Sequence, residues 1–129
     1  MNDKESPRIL LVEDDDMLSD LLKKGLETRN YFIYRAANTE EAKKILEENK
    51  IDLMLLDIIL PGTDGVTFLE KLKSDVKFED LTVIMISNLS QEEDVERAKR
   101  AGAVDYLVKA NVLPTDILNK VETYLKMKL

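Results

Sequence analysis

Glu13, Asp14 and Asp15 stand directly after the apolar run 8–12, and Asp57 stands directly after the run 52–56. Ser87 closes a third run that begins at 82, and Lys109 closes a more mixed stretch over 104–108. Each type has an ordinary use at such a place: an acid caps the next helix, a serine makes a turn, a lysine faces water. Brought together, they would do more. Two like charges ~4 Å apart in a surface-like dielectric repel by roughly 4 kcal/mol, so clustered carboxylates need a cation or take up a proton. With oxygen the only ligand atom on offer, Mg²⁺ or Mn²⁺ suits such a cluster better than zinc. One nucleophilic carboxylate, a metal cup, a hydroxyl donor and a fixed ammonium form a set suited to phosphoryl transfer onto a carboxylate.

The rest of the composition narrows the chemistry. The chain of 129 residues contains no histidine and no cysteine. Imidazole acid–base work, a Ser–His–Asp triad, thiol nucleophiles, disulfides and Cys-ligated zinc are therefore excluded. The net charge of −7 makes nucleic acid a poor direct partner. The opening residues 1–8 are polar, and no apolar run approaches the ~18 residues of a membrane span. A cytoplasmic location with no membrane contact is the expectation. At 44% apolar residues, the chain has enough for one core and fits one domain over 1–129, with a tail at 1–7 and a folded core over 8–127.

For the acids to meet, strands must carry them to one edge. The runs 8–12, 52–56 and 82–86 do not alternate apolar with polar, which fits strands covered on both faces. Residues 31–36 and 104–108 are more mixed, as edge strands are. Between them lie helical patterns: Leu18, Leu21, Leu22 and Leu26; Ala42, Ile45 and Leu46 after a cap at Asn38 or Thr39; Phe68, Leu69 and Leu72 after the turn Asp64-Gly65; and Ile117, Leu118, Val121, Tyr124 and Leu125 entered through Pro114. Asp15 or Asp16 is placed to cap the first helix. Residues 90–93 (Ser-Gln-Glu-Glu) read as a capping box opening the fourth, with Gly102 as its stop. That fourth helix offers only Val95, Ala98 and Ala101 to the core, so it should be the most loosely held. Five strand–helix units predict a single doubly wound α/β sheet of five parallel strands, order 2-1-3-4-5, with helices on both faces. Its functional crevice lies beyond the carboxyl ends of strands 1 and 3, where Glu13, Asp14 and Asp57 fall.

Four segments, at the ends of strands 1, 3, 4 and 5, resemble the receiver domain of two-component response regulators. They are Ile-Leu-Leu-Val-Glu13-Asp14-Asp15, Asp57-Ile-Ile-Leu-Pro61-Gly62-Thr-Asp64-Gly65, Ile-Met-Ile-Ser87 and Gly102-Ala-Val-Asp-Tyr106-Leu-Val-Lys109. The resemblance spans roughly residues 8–127 and implies a flavodoxin-like fold. It also implies roles: Asp57 as phosphoacceptor, with Glu13, Asp14, Asp57 and the backbone carbonyl of Ile59 as the Mg²⁺ ligands. Asp14 would bind the ion directly and Glu13 through water. Ser87 would hydrogen-bond the phosphoryl group, Lys109 would pair with it, and Tyr106 would swing inward as Ser87 is drawn toward it. The domain would be a signalling switch rather than a turnover enzyme, charged by a sensor histidine kinase or phosphotransfer protein. Its output face would be the fourth helix, fifth strand and fifth helix, acting on a protein target.

Departures from that pattern generate further expectations. Ala110 stands where the family has proline; a cis bond before a non-proline residue costs about 2.5–4 kcal/mol, so a trans bond and an altered loop over 109–114 are expected. Asn88 would crowd the phosphoryl pocket. Ile59 and Leu89 would shield an acyl phosphate from water. Asp105 with Arg97, Lys99 and Arg100 would place a salt-bridged contact on the output face, giving a monomer or a phosphorylation-dependent homodimer. With few residues left after the last helix, output is expected through protein contacts. The rival readings are a pseudo-receiver that binds partners without phosphorylation and a small-molecule phosphohydrolase; the latter lacks a histidine and an inserted lid. A flavin phosphate is excluded by the carboxylates after strand 1.

Overall fold

The computed structural model describes residues 6–128, so most of the expected tail at 1–7 lies outside the described residues. The elements follow in strict alternation: β1 (Arg8–Val12), α1 (Asp16–Glu27), β2 (Phe32–Ala36), α2 (Thr39–Glu48), β3 (Leu53–Leu56), α3 (Gly65–Lys73), β4 (Thr82–Ser87), α4 (Glu92–Ala101), β5 (Asp105–Val108) and α5 (Pro114–Met127). Short 3₁₀ turns occupy Val76–Phe78 and Lys109–Asn111. All strands pair in parallel in the order β2-β1-β3-β4-β5.

The unbroken apolar runs follow from burial on both faces. In β1, Ile9 and Leu11 enter a core beneath α1 and α5, with Leu22, Leu26, Ile117 and Val121. Leu10 and Val12 point the other way, to a core shared with α2, α3 and α4 through Ala42, Leu46, Leu69 and Ala98. A side-chain period of two along a doubly covered strand demands an apolar residue at every position.

Helix starts are set by short polar side chains. Asp15 caps α1 by accepting the Leu18 N–H at 3.1 Å, Asn38 caps α2 by accepting the Glu41 N–H at 2.9 Å, and Asp64 caps α3 by accepting the Val66 N–H at 2.7 Å. At α5, Pro114 takes the first position and the Asp116 carboxylate accepts the Leu113 N–H at 2.7 Å. Gly102 ends α4 in the left-handed region, φ 119°.

Two sequence expectations are corrected. Leu21 is 52% exposed: the inward stripe of α1 runs from half-buried Leu18 through buried Leu22 and Leu26 at intervals of four, and Ser19 rather than Leu21 is the further residue on its inner side. The capping box at 90–93 does not form. Helix α4 begins at Glu92, with Gln91 in the cap position and no side-chain bond. The Gln91 carbonyl, one residue later than expected, accepts the Asp94 and Val95 N–H groups.

Gly65 controls how closely α3 approaches the end of β3. A Cβ there would stand 2.0 Å from the Asp57 carbonyl oxygen, and the Gly65 N–H donates to the Ile58 carbonyl at 2.7 Å. Gly65→Ala is expected to lower unfolding free energy by about 1–3 kcal/mol through overpacking against backbone. Urea unfolding checks this, and an unshifted midpoint would show that the approach can relax without cost.

Candidate functional site

The carboxyl ends of β1 and β3 meet because those strands are neighbours. The Asp57 N–H donates to the Val12 carbonyl at 3.1 Å, and the Glu13 N–H donates to the Ala36 carbonyl of β2 at 3.0 Å. Carboxylate oxygens of Glu13, Asp14 and Asp57 lie within 4.8 Å of one another, the one such acidic group among the described residues. Glu13 and Asp57 are buried, whereas Asp14 is exposed.

Lys109, at the end of β5, reaches across β4 into this group. Its Nζ stands 2.8 Å from Asp57 Oδ2 and 2.7 Å from Glu13 Oε1. Burial works against the Lys109 charge, but its hydrogen bond to Asp57 and the attraction of Asp57 and Glu13 prevail and hold the ammonium's pKa above its ordinary value. Burial raises the Glu13 carboxyl; Lys109 and the Asp15 N–H, which donates to Oε2 at 3.0 Å, pull it back, and Asp57 pushes it up again. Glu13 Oε1 is buried with no hydrogen-bond partner, since the Lys109 contact is a charge contact at a poor angle. An oxygen-only group with an unsatisfied buried oxygen, and one cation for three acids, fits a small hard divalent ion.

The remaining expected residues surround this centre. Asp57 Oδ1 accepts the Ile59 N–H at 3.3 Å, while the Ile59 side chain stands 59% exposed. Ser87 is buried at the end of β4, its hydroxyl accepting the Leu89 N–H at 3.2 Å. Tyr106 donates its hydroxyl to the Leu89 carbonyl at 2.6 Å. Burial raises the Tyr106 pKa, with the nearby Ser87 hydroxyl opposing it. One loop residue, Leu89, thus links Ser87 to Tyr106. No described peptide bond is cis, in keeping with Ala110 after Lys109. Asn88, expected to crowd the pocket, is exposed.

Within the chain, Asp105 and Arg97 have partners other than each other. Asp105 Oδ2 accepts the Tyr124 hydroxyl at 3.0 Å and pairs with Lys120 at 3.5 Å, both on α5. Arg97 turns toward α3, pairing with Asp64 at 2.8 Å and donating to Thr67 at 3.2 Å. Arg100, three residues on and thus on the same side of the helix, lines a cleft with Glu70 and Lys73 of α3. Arg35 and Ser19, unnoticed in the sequence, both donate to the Glu13 carbonyl. Their only advance signal is that parallel pairing of β1 with β2 sets Arg35 opposite Leu11, two residues before Glu13.

Comparison with known proteins decides the family. The model of the response regulator receiver domain matches residues 9–122. The chain belongs to that family. Among curated relatives, the receiver is 35% identical over 103 residues to the DNA-binding dual master transcriptional regulator RpaA of Synechocystis, covering 80% of this chain and 43% of RpaA. It is 31% identical over 121 residues to the regulatory protein VanR of Enterococcus faecium, covering 94% and 51%. This chain spans about half the length of such relatives. Among solved structures, a CheY-like receiver from Methanospirillum hungatei superposes with a TM-score of 0.87 at 32% identity, covering 95% of each chain. The non-phosphorylated HemR receiver of Leptospira biflexa gives 0.85 at 30% identity, covering 93% of this chain and 94% of HemR's. The receiver has no described helix long and apolar enough to cross a membrane.

Removing Lys109 leaves two buried carboxylates facing each other. Metal-free Lys109→Ala is expected to lose about 3 kcal/mol of stability at pH 7. The deficit should shrink on acidification, because a carboxyl raised above its unfolded value of 4.5 takes its proton sooner in the folded chain. Urea unfolding at pH 7 and pH 5 checks it; equal deficits at both would sink the account.

Proposed function

We propose that this receiver is a phosphorylation switch in which Asp57 accepts a phosphoryl group from a phospho-histidine on a sensor kinase or phosphotransfer protein. The observation that carries the reading is the buried Asp57 carboxylate, held at 2.8 Å by Lys109 within 4.8 Å of Glu13 and Asp14, in a chain of the receiver family. A carboxylate oxygen of Asp57 attacks phosphorus in line; the P–N bond breaks, the O–P bond forms, and the imidazole leaves. Asp14, Glu13, Asp57 and the Ile59 carbonyl would hold Mg²⁺ or Mn²⁺, which when bound neutralises charge on the transferring group.

The chain's own groups do the rest. Lys109, already on Asp57, supplies a fixed positive charge for a phosphoryl oxygen without reorganising. Ser87 gains an acceptor stronger than its present role of receiving the Leu89 N–H. Drawing Ser87 toward the phosphoryl group shifts Leu89, whose carbonyl holds the Tyr106 hydroxyl. The disturbance reaches β5 and α4, and α4 yields because its buried residues are only Ala98 and Ala101. The α4–β5–α5 face is then read by a protein target in the cytoplasm, with the receiver as a monomer or as a homodimer formed on phosphorylation.

Intact mass after incubation with phosphoramidate tests the reading. Wild type with Mg²⁺ is expected to gain one phosphoryl group, with none gained by Asp57→Ala or in chelator. No gain in wild type, from either phosphoramidate or a phosphorylated kinase, would leave an interaction module that works without phosphate. Ile59→Asn is expected to speed loss of the acyl phosphate several-fold by admitting water beside Asp57, measured as decay of the phosphorylated mass; an unchanged decay would remove Ile59 from that role.

A further inference from the structure

The edge strand β2 places no side chain in the acidic group, yet it grips the loop that carries it. The Glu13 N–H donates to the Ala36 carbonyl of β2 at 3.0 Å. The Glu13 carbonyl receives Nε and Nη2 of Arg35 at 3.2 and 2.9 Å, and the Ser19 hydroxyl at 3.3 Å. Both peptide groups flanking Glu13 are therefore fixed, so the carboxylate is aimed inward and Asp14 is presented from the next peptide unit. The same Arg35 Nη2 meets Asp16 Oδ1 at 2.9 Å. Of four consecutive acids, Asp15 is spent on capping α1 and Asp16 is drawn to Arg35, leaving Glu13 and Asp14 for the cluster.

We infer that Arg35 is a positioning residue for the divalent cation, setting the backbone of the acidic loop through the Glu13 carbonyl. This rests on reading Glu13 and Asp14 as cation ligands. The ion pair with Asp16 is not the point: Asp16 is 86% exposed on its side chain, and such pairs contribute little. The carbonyl is different, because a carbonyl at a buried residue must find donors. A guanidinium can place two N–H groups on one oxygen while a branch of the same plane engages Asp16; a lysine ammonium at the end of a flexible stem cannot reproduce that fork. Outer partners of this kind orient ligands, and their loss costs metal affinity.

A competing account makes Arg35 only a positive charge beside the acids. The two accounts predict opposite outcomes. If Arg35 positions, Arg35→Lys and Arg35→Gln both weaken Mg²⁺ binding, by roughly tenfold. If it acts by charge alone, Arg35→Lys binds as wild type and Arg35→Gln, relieved of a like charge, binds more tightly. Isothermal calorimetry of the full chain with Mg²⁺ alone reads this directly. Asp16→Asn should change the affinity less than twofold, and Ser19→Ala should weaken it in the same direction as Arg35→Lys. In phosphorylation by phosphoramidate, Arg35→Lys should need about tenfold more Mg²⁺ for half-maximal rate, yet approach the wild-type rate at saturation. Wild-type affinity in Arg35→Lys, beside normal binding and phosphorylation of wild type, overturns the inference alone. A wild-type chain that neither binds Mg²⁺ nor accepts phosphate overturns the functional reading and this inference with it.

Discussion

One ammonium shared between two buried carboxylates is the constraint on which this architecture turns. Glu13 and Asp57 lie out of water at the ends of adjacent strands, and Lys109 alone stands between them among the described residues. The parallel order β2-β1-β3-β4-β5 is what makes the arrangement available: β1 and β3 bring the acids side by side, and β5, two strands away, carries a side chain long enough to span β4. The compensation is incomplete by design of charge. One positive group against three acids leaves a deficit, and an oxygen of Glu13 without a donor, that a small divalent ion is well suited to fill.

Much of this was legible in the sequence for a simple reason. Strands covered on both faces must be apolar throughout, so β1, β3 and β4 announce themselves as unbroken runs, and the polar residue ending each run is placed by topology at the crevice. That rule points to Glu13, Asp14, Asp57, Ser87 and Lys109 from the letters alone, and the fold brings Glu13, Asp14, Asp57 and Lys109 together. What escaped depended on information the pattern does not hold. Arg35 acts on a backbone carbonyl, and a carbonyl has no letter in the sequence. The exposure of Leu21 and the turning of Arg97 toward α3 both depend on the rotational setting of a helix on its sheet, which neighbouring helices decide. The start of α4 slipped by one residue because the Gln91 carbonyl, and no side chain, closes its first turn.

The site and the proposed output face are joined by few groups. Leu89 is bonded through its N–H to Ser87 and through its carbonyl to Tyr106, so a displacement at the end of β4 has a short path to β5. Helix α4 is held differently from its neighbours: beneath it lie alanines, and at its side Arg97 ties it to Asp64, the residue that caps α3 a few positions after Asp57. Helix α5, by contrast, sinks Ile117, Leu118, Val121 and Leu125 into the sheet.

That asymmetry bears on how such a chain can diverge. A helix resting on alanine asks almost nothing of its own outer surface, so residues there can be exchanged through successive generations without passing through an unfolded ancestor. If α4 carries the proposed output face, its targets can be changed by rewriting that surface without disturbing the acid-and-lysine centre beneath the loops.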